Sequence, residues 1–234
     1  MVATDRYAAL VRPAIDRVYI AARAAARPRV RAVIEEAGVG PGFILSFYFG
    51  LLARPMPADS FAAATTYGGS DMTGELADGV AVVDDAGTWS LTPVGRDLGR
   101  AIQLAIGAGA AELWAPQLDS LPRVADLVGR LLDGGAGSGG PAFTAMVPVY
   151  EPPGATPAVQ VTSRLGALRH HRADAHRAAW AAAGLTLPEL LALPAGEPRQ
   201  RIEDDTDRRD APIYAALTDD ERVELLGLLA ALPG

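Results

Sequence analysis

The stretch that decides the fold is Gly79-Val80-Ala81-Val82-Val83, then Asp84-Asp85-Ala86-Gly87, then Thr88-Trp89-Ser90-Leu91, and finally Thr92-Pro93. The first run is apolar and β-branched, the second has the Asp/Gly character of a hairpin loop, and the third returns as a strand. Thr92-Pro93 opens a helix: the hydroxyl accepts an orphan N–H of the first turn, and the missing proline N–H costs nothing at the first helical position. Upstream, Asp59 or Ser60 is placed to cap a short helix through Thr66. Gly68-Gly69 makes a turn, and Ser70 or Asp71 caps a second short helix ending near Ala77. Two short helices, a two-stranded hairpin and a long helix predict a winged helix-turn-helix.

Outward from this unit the pattern is helical, and the fold class expected is mainly α with a small β hairpin plus additional helices. Residues 5–36 read as a helix bent or broken near Pro13 and Pro28, with Leu10, Ile15, Val18, Tyr19, Val30, Val33 and Ile34 on its apolar side. Phe43 to Leu52 is wholly apolar and too short to span a bilayer, as a buried helix would be. Ser163 to Ala183 predicts a long helix, and Asp219 to Ala231 another, capped by Thr218 and ended by Pro233. Between them, residues 134–157 hold 6 Gly and 5 Pro, the composition of a linker. The expected organisation is a helical region with the winged helix over 1–133, a Gly/Pro-rich linker over 134–157, and a C-terminal helical region over 158–234.

Composition narrows the chemistry. The chain of 234 residues contains no Cys, no Lys and no Asn, so disulfides, thiolate metal sites, thiol and Schiff-base catalysis and N-glycosylation are excluded together. No apolar run reaches the ~18 residues of a membrane span and no secretion signal is recognisable, so a cytoplasmic protein with no membrane partner is expected. Gly135-Ala136-Gly137-Ser138-Gly139-Gly140 matches GxGxxG literally but follows a helix-like segment and precedes Pro141, which is the wrong context for a dinucleotide site. No cofactor and no metal site are implied.

The run Gly79–Val83, Asp84–Gly87 and Trp89-Ser90-Leu91-Thr92-Pro93-Val94-Gly95-Arg96-Asp97-Leu98 resembles the wing and following helix of MarR-type winged-helix regulators, whose usual form ends in Leu-Thr-x-x-Gly-Arg-x-Leu. That resemblance covers residues 57–105. A second, over residues 163–217, is to SalK-like actinobacterial winged-helix proteins. It rests on Leu168-Arg169-His170-His171-Arg172-Ala173-Asp174-Ala175-His176-Arg177-Ala178-Ala179-Trp180 with Ile202-Glu203-Asp204-Asp205-Thr206-Asp207 and Ala211–Leu217. The MarR resemblance implies a homodimer through the terminal helices and a ligand-responsive regulator.

Charge bears on whether such a protein reads DNA. The net charge is -7, and from Pro57 to Ser90 there are six acids (Asp59, Asp71, Glu75, Asp78, Asp84, Asp85) and no Arg. The second short helix would offer Ser70, Met72 and Thr73 to the bases, and the wing tip is Asp84-Asp85 where phosphate contact calls for cations. Seven Arg against two Asp in the first 31 residues either supply phosphate contacts or form the solvated face of an amphipathic helix. DNA is thus a partner disfavoured by local charge.

All three His fall between 170 and 176. At about 100° per residue, Arg169, Arg172 and His176 share the apolar face with Leu165, Leu168 and Trp180, while His170 and Asp174 pair at i, i+4 on the opposite side. Cations on a buried face require acids or a ligand. Two readings stand side by side: an internal ion-pair network with Glu203-Asp204-Asp205-Thr206-Asp207, or a pocket in which Arg169, Arg172, His176 and Trp180 hold a small anionic or polar molecule. No GxSxG occurs, and a His with an Asp on the same helix makes no triad without a placed Ser. The expected function is a MarR-like ligand-responsive transcriptional regulator or a derived small-molecule-binding protein with weakened DNA binding. The alternative is an enzyme or biosynthetic accessory protein using the His/Arg/Trp face, with no reaction assignable.

Overall fold

The computed structural model describes residues 3–39, 45–68 and 72–234. Thr4–Ala37 form α1, which continues through both Pro13 and Pro28. Its buried stripe is Tyr7, Val11, Ile15, Val18, Ala22, Ala26 and Val30, spaced three or four residues apart as one helical face demands. Leu10, expected inside, is 55% exposed. The middle of the stripe is alanine because a later helix, Pro93–Leu113, crosses there closely: a β-carbon on its Gly109 would sit 2.6 Å from the Ala26 Cα.

Leu45–Ala53 (α2) carries the expected apolar helix, with Leu51 and Leu52 buried. Ala58–Thr65 (α3) and Thr73–Ala77 (α4) follow, the first preceded by Pro57 and the second by Met72. Strands Ala81–Val83 (β1) and Trp89–Leu91 (β2) pair antiparallel, Ala81 facing Leu91 and Val83 facing Trp89. The connecting loop owes its form to Asp84, whose Oδ1 accepts the N–H groups of Ala86 (2.9 Å) and Thr88 (2.8 Å). One of the two acids of the hairpin loop is therefore a turn-forming residue. Thr92 caps Pro93–Leu113 (α5) as its sequence predicts, its hydroxyl oxygen accepting the Gly95 N–H at 3.1 Å.

A 3-10 segment, Ala115–Ser120, leads into Leu121–Gly134 (α6), and a second, Gly135–Gly137, into Pro141–Met146 (α7). Thr156 caps Pro157–Ala182 (α8), which begins six residues earlier than expected. Leu187–Ala192 (α9), Glu197–Asp210 (α10), a 3-10 segment at Ala211–Ala216 and Asp219–Ala231 (α11) complete the chain. Thr218 and Glu221 form a capping box at the start of α11. The Arg130 guanidinium beside Glu221 and the Thr218 N–H hold the Glu221 carboxyl down at about 2.

A single cluster of buried apolar side chains reaches from Tyr7 to Leu232, so the regions 1–133 and 158–234 share one core. The 134–157 stretch, expected as a linker, enters that core with Phe143 and Met146, and α7 packs between α3 and α8. What makes so short a helix hold is a cap from a distant element. The buried Asp174 carboxylate of α8 accepts the Ala142 N–H (3.2 Å) and the Phe143 N–H (2.8 Å) at the start of α7. A second small cluster joins Ala179 of α8 to Leu190 of α9 and Ile202 of α10, with Trp180 packed against it. No helix among the described residues is long and apolar enough to cross a membrane.

Candidate functional site

Between α1, the end of α3, α8 and α10 lies a cavity of about 410 Å³, within the range of small-molecule pockets. Ile15 and Tyr19 of α1, Ala63 and Ala64 of α3, and Leu168 and Ala173 of α8 form its apolar lining. Arg169, Arg172 and His176 line it too, as the helical spacing predicted, and meet there Arg12 and Asp16 of α1, Glu203 of α10 and Tyr67.

The arginines are paired. Arg169 Nε lies 2.8 Å from Asp16 Oδ1, and its guanidinium sits over the Tyr19 ring at 4.7 Å from the centroid. Arg12 Nη1 donates to Glu203 Oε2 at 2.8 Å. Arg172 Nη1 donates to Asp207 Oδ1 at 2.7 Å, its Nη2 to Glu203 Oε2 at 3.3 Å, and Asp210 Oδ2 is 3.6 Å from Nη1. The ion-pair network and the pocket, alternatives at the level of sequence, thus coexist: the network forms one wall of the cavity. Glu203 and Asp207 are its acids, whereas Asp204 accepts from Gln200 and Asp205 serves Arg208 and Arg209 at the surface.

The polar groups left to meet a ligand are His170, which lines the cavity although its spacing placed it on the opposite side of α8, and an aromatic relay. Trp180 does not line the cavity; its indole N–H donates to the Tyr67 hydroxyl at 3.0 Å, and that hydroxyl is 3.0 Å from His176 Nδ1. Indole is a donor only, so the Tyr67 oxygen accepts from it and turns its own hydrogen toward His176. That assigns the neutral Nε2–H tautomer to His176, with Nε2 3.9 Å from Glu203 Oε1. Burial lowers the His176 pKa, more than Glu203 raises it, and burial raises that of Tyr67. Both are therefore neutral at pH 7, as the relay requires. His170, whose Nδ1 meets the Gly166 carbonyl at 2.8 Å rather than pairing with Asp174, is likewise lowered by burial.

A pH dependence follows. For both histidines the native state binds its proton more weakly than the unfolded chain, so their contribution to stability is intact above the unfolded pKa of about 6.5 and is lost as pH falls through the lowered native values. Stability measured by urea unfolding is expected to decline from pH 7 to 5, and the decline to flatten in a His170→Gln/His176→Gln variant. An unchanged slope in that variant would assign the effect to other groups.

The remaining predicted residues scatter. Ser70 lies outside the described residues. Met72 is 3% exposed and packs in the core, so it has no face to offer a base; the reason is that α4 is a five-residue helix whose entry is pinned by burial. Thr73 is exposed at the start of α4. Several of the N-terminal arginines are committed internally: besides Arg12, Arg17 donates to the Leu229 and Leu232 carbonyls at 2.7 Å each, closing the end of α11, and Arg29 pairs with Glu112. Among the described residues no group of three or more His, Asp or Glu side chains converges to hold a metal.

Tyr67, Arg12, Asp16 and Tyr19 were not legible as site residues. They reach α8 from 100 or more positions away, and no local spacing announces such a contact. No protein-family model, curated protein or solved structure matches the chain.

Proposed function

We propose that the protein binds a small molecule in the Tyr67/His176 cavity, on a winged-helix scaffold of MarR type whose contact with duplex DNA is weakened or lost. The observation that carries this reading is a half-open, largely apolar cavity whose arginines are already neutralised, with an ordered Trp180–Tyr67–His176 relay at its edge as a polar contact. The order α3, α4, β1, β2, α5 supports the scaffold. The weakened DNA contact is supported by the acidic 57–90 segment and by the engagement of Arg12 with Glu203 and of Arg17 with the end of α11. In such a regulator, a ligand shifts the spacing of two reading heads through its differential affinity for two states. The homodimer implied by the resemblance would pair terminal helices, where Leu10, Ile20 and Val223 are exposed.

The ligand class is more specific than the anionic or polar molecule expected. An anion would compete with Asp16, Glu203 and Asp207 for cations they already satisfy, so the cavity suits a neutral, mostly apolar or aromatic molecule bearing one acceptor for the His176 Nε2–H. Thermal shift with a panel of neutral aromatic compounds tests this. At a hundredfold excess over Kd a true ligand adds about 2.7 kcal/mol, or about 5 to 10 °C in a chain of this size. Ala173→Phe, which fills the cavity, is expected to abolish the shift. A silent panel, or a shift that survives Ala173→Phe, would reject the site.

A further inference from the structure

A different side of α8 carries an arrangement whose serine and histidine do not line the ligand cavity, although its aspartate also borders the Arg172 cluster. Ser138 Oγ lies 2.9 Å from His171 Nε2, and His171 Nδ1 lies 2.7 Å from Asp210 Oδ1. Asp210 Oδ2 in turn accepts the Tyr214 hydroxyl at 3.2 Å. The three residues come from the loop after the Gly135–Gly137 turn, the middle of α8 and the last residue of α10.

Burial gives the series a direction. Asp210 is 0% and His171 1% exposed, while Ser138 is exposed and lines a cleft of about 680 Å³ together with Gly140, Arg177 and Trp180. An ionised Asp210 is an acceptor only, so it demands Nδ1–H on His171 and leaves the Nε2 lone pair facing the serine hydroxyl. The nearer acceptor for that hydroxyl is His171, since the Gly135 carbonyl is 3.5 Å away. The Phe143 ring, edge-on to the imidazole at 5.1 Å, holds its plane.

The glycines of the literal GxGxxG stretch now have a physical role. A β-carbon on Gly139 would lie 2.1 Å from the Phe143 ring, and one on Gly140 2.7 Å from the Asp174 carboxyl carbon. Only glycine lets the loop press against both and bring Ser138 to His171. The loop is closed by the Ser138 and Gly139 N–H groups, both donating to the Gly135 carbonyl at 3.0 and 2.8 Å. The Gly140 N–H has no backbone acceptor among the described residues.

We propose that Ser138, His171 and Asp210 act as nucleophile, general base and positioning residue in the hydrolysis of a small carboxylic ester bound in this cleft. Ser138 Oγ bonds to the ester carbonyl carbon while its proton passes to His171 Nε2, with the Gly140 N–H available to the developing oxyanion. The carbon–oxygen bond to the alcohol breaks, and the alcohol leaves with the proton from His171. Water then adds to the acyl-serine, giving its proton to His171, and the Ser138 bond breaks to release the carboxylic acid and restore the hydroxyl. Ester and water become acid and alcohol, with no further reactant. Trp180, beside the cleft, supplies an apolar surface for the acyl group.

The test reads modification of Ser138, which does not line the ligand cavity. An alkyl fluorophosphonate is expected to label the folded wild-type protein at Ser138, located by peptide mass spectrometry. Hydrolysis of 4-nitrophenyl acetate is expected to fall to the buffer background in Ser138→Ala, assayed well below its melting temperature because the buried His171 Nε2 loses its partner. Asp210→Asn is expected to slow labelling by about 10³-fold or more, because it stabilises the wrong imidazole tautomer. Absence of an adduct on Ser138, or ester hydrolysis by Ser138→Ala at the wild-type rate, would overturn the assignment.

Discussion

Arg172→Ala is expected to destabilise the protein by about 3 to 5 kcal/mol, because it removes one partner of a buried ionic cluster and leaves the others behind. The guanidinium is 15% exposed and lies among Asp207, Glu203 and Asp210. Burial disfavours its charge, yet the hydrogen bond to Asp207 and the charge of Asp210 outweigh that cost. Helix α10 depends on this contact to an unusual degree, since its buried residues are only Ile202, Thr206 and Asp210. In a chain of this size the loss corresponds to a fall of about 10 °C in melting temperature, read by circular dichroism at pH 7. Arg172→Met, which keeps the aliphatic stem, is expected to lose nearly as much, and Arg172→Lys to recover part of the loss without the bidentate fork. A loss under 1 kcal/mol for Arg172→Ala would mean that the cluster is solvent-screened. Arg172 therefore belongs to the framework that shapes the cavity, and its substitution reports on folding before it reports on ligand.

Gly95→Ala is the second large effect expected, at about 2 to 3 kcal/mol. This glycine lies in the first turn of α5, and a β-carbon there would lie 1.9 Å from the Val80 carbonyl oxygen. The obstacle is backbone, so no rotamer relieves it. Moving the hairpin away is also costly, because the same oxygen accepts the Thr92 N–H at 3.1 Å, while the Thr92 hydroxyl donates to the adjacent Gly79 carbonyl at 2.7 Å and in turn caps α5. The gain in helix propensity, about 1 kcal/mol, offsets only part of the overpacking. Gly227→Ala in α11, where a β-carbon meets nothing within 4 Å, is the control and is expected to stabilise by about 0.5 to 1 kcal/mol. A fall in denaturant midpoint for Gly95→Ala and a smaller rise for Gly227→Ala, both without a change in slope, would confirm the contrast.

Local chemistry made much of the helical architecture readable. Thr92-Pro93 and Thr218 with Glu221 announce the starts of α5 and α11, and the structure places both caps as expected. The same signature stands at Thr156-Pro157, but the Pro-rich run before it reads as linker, which is why α8 was expected to start late. Helix α7 was illegible for a different reason. Its hydrogen-bond donors are satisfied by Asp174, 32 positions after Ala142, and a six-residue segment carries no periodicity of its own.

The sequence by itself determined the helices with strong caps, the two-stranded hairpin, the acidic charge around it and the placing of Arg169, Arg172 and His176 on one helical face. Those features depend on neighbours within about four residues, where rotamers, capping and hydrogen bonding act directly. Tertiary structure alone decided that the arginines are neutralised by Asp16, Glu203 and Asp207, that Tyr67 joins Trp180 to His176, and that Ser138, His171 and Asp210 form a line. Such contacts span 30 to more than 150 positions of chain. They are set by how the helices pack on one another, and helix packing leaves no mark in the local order of residues.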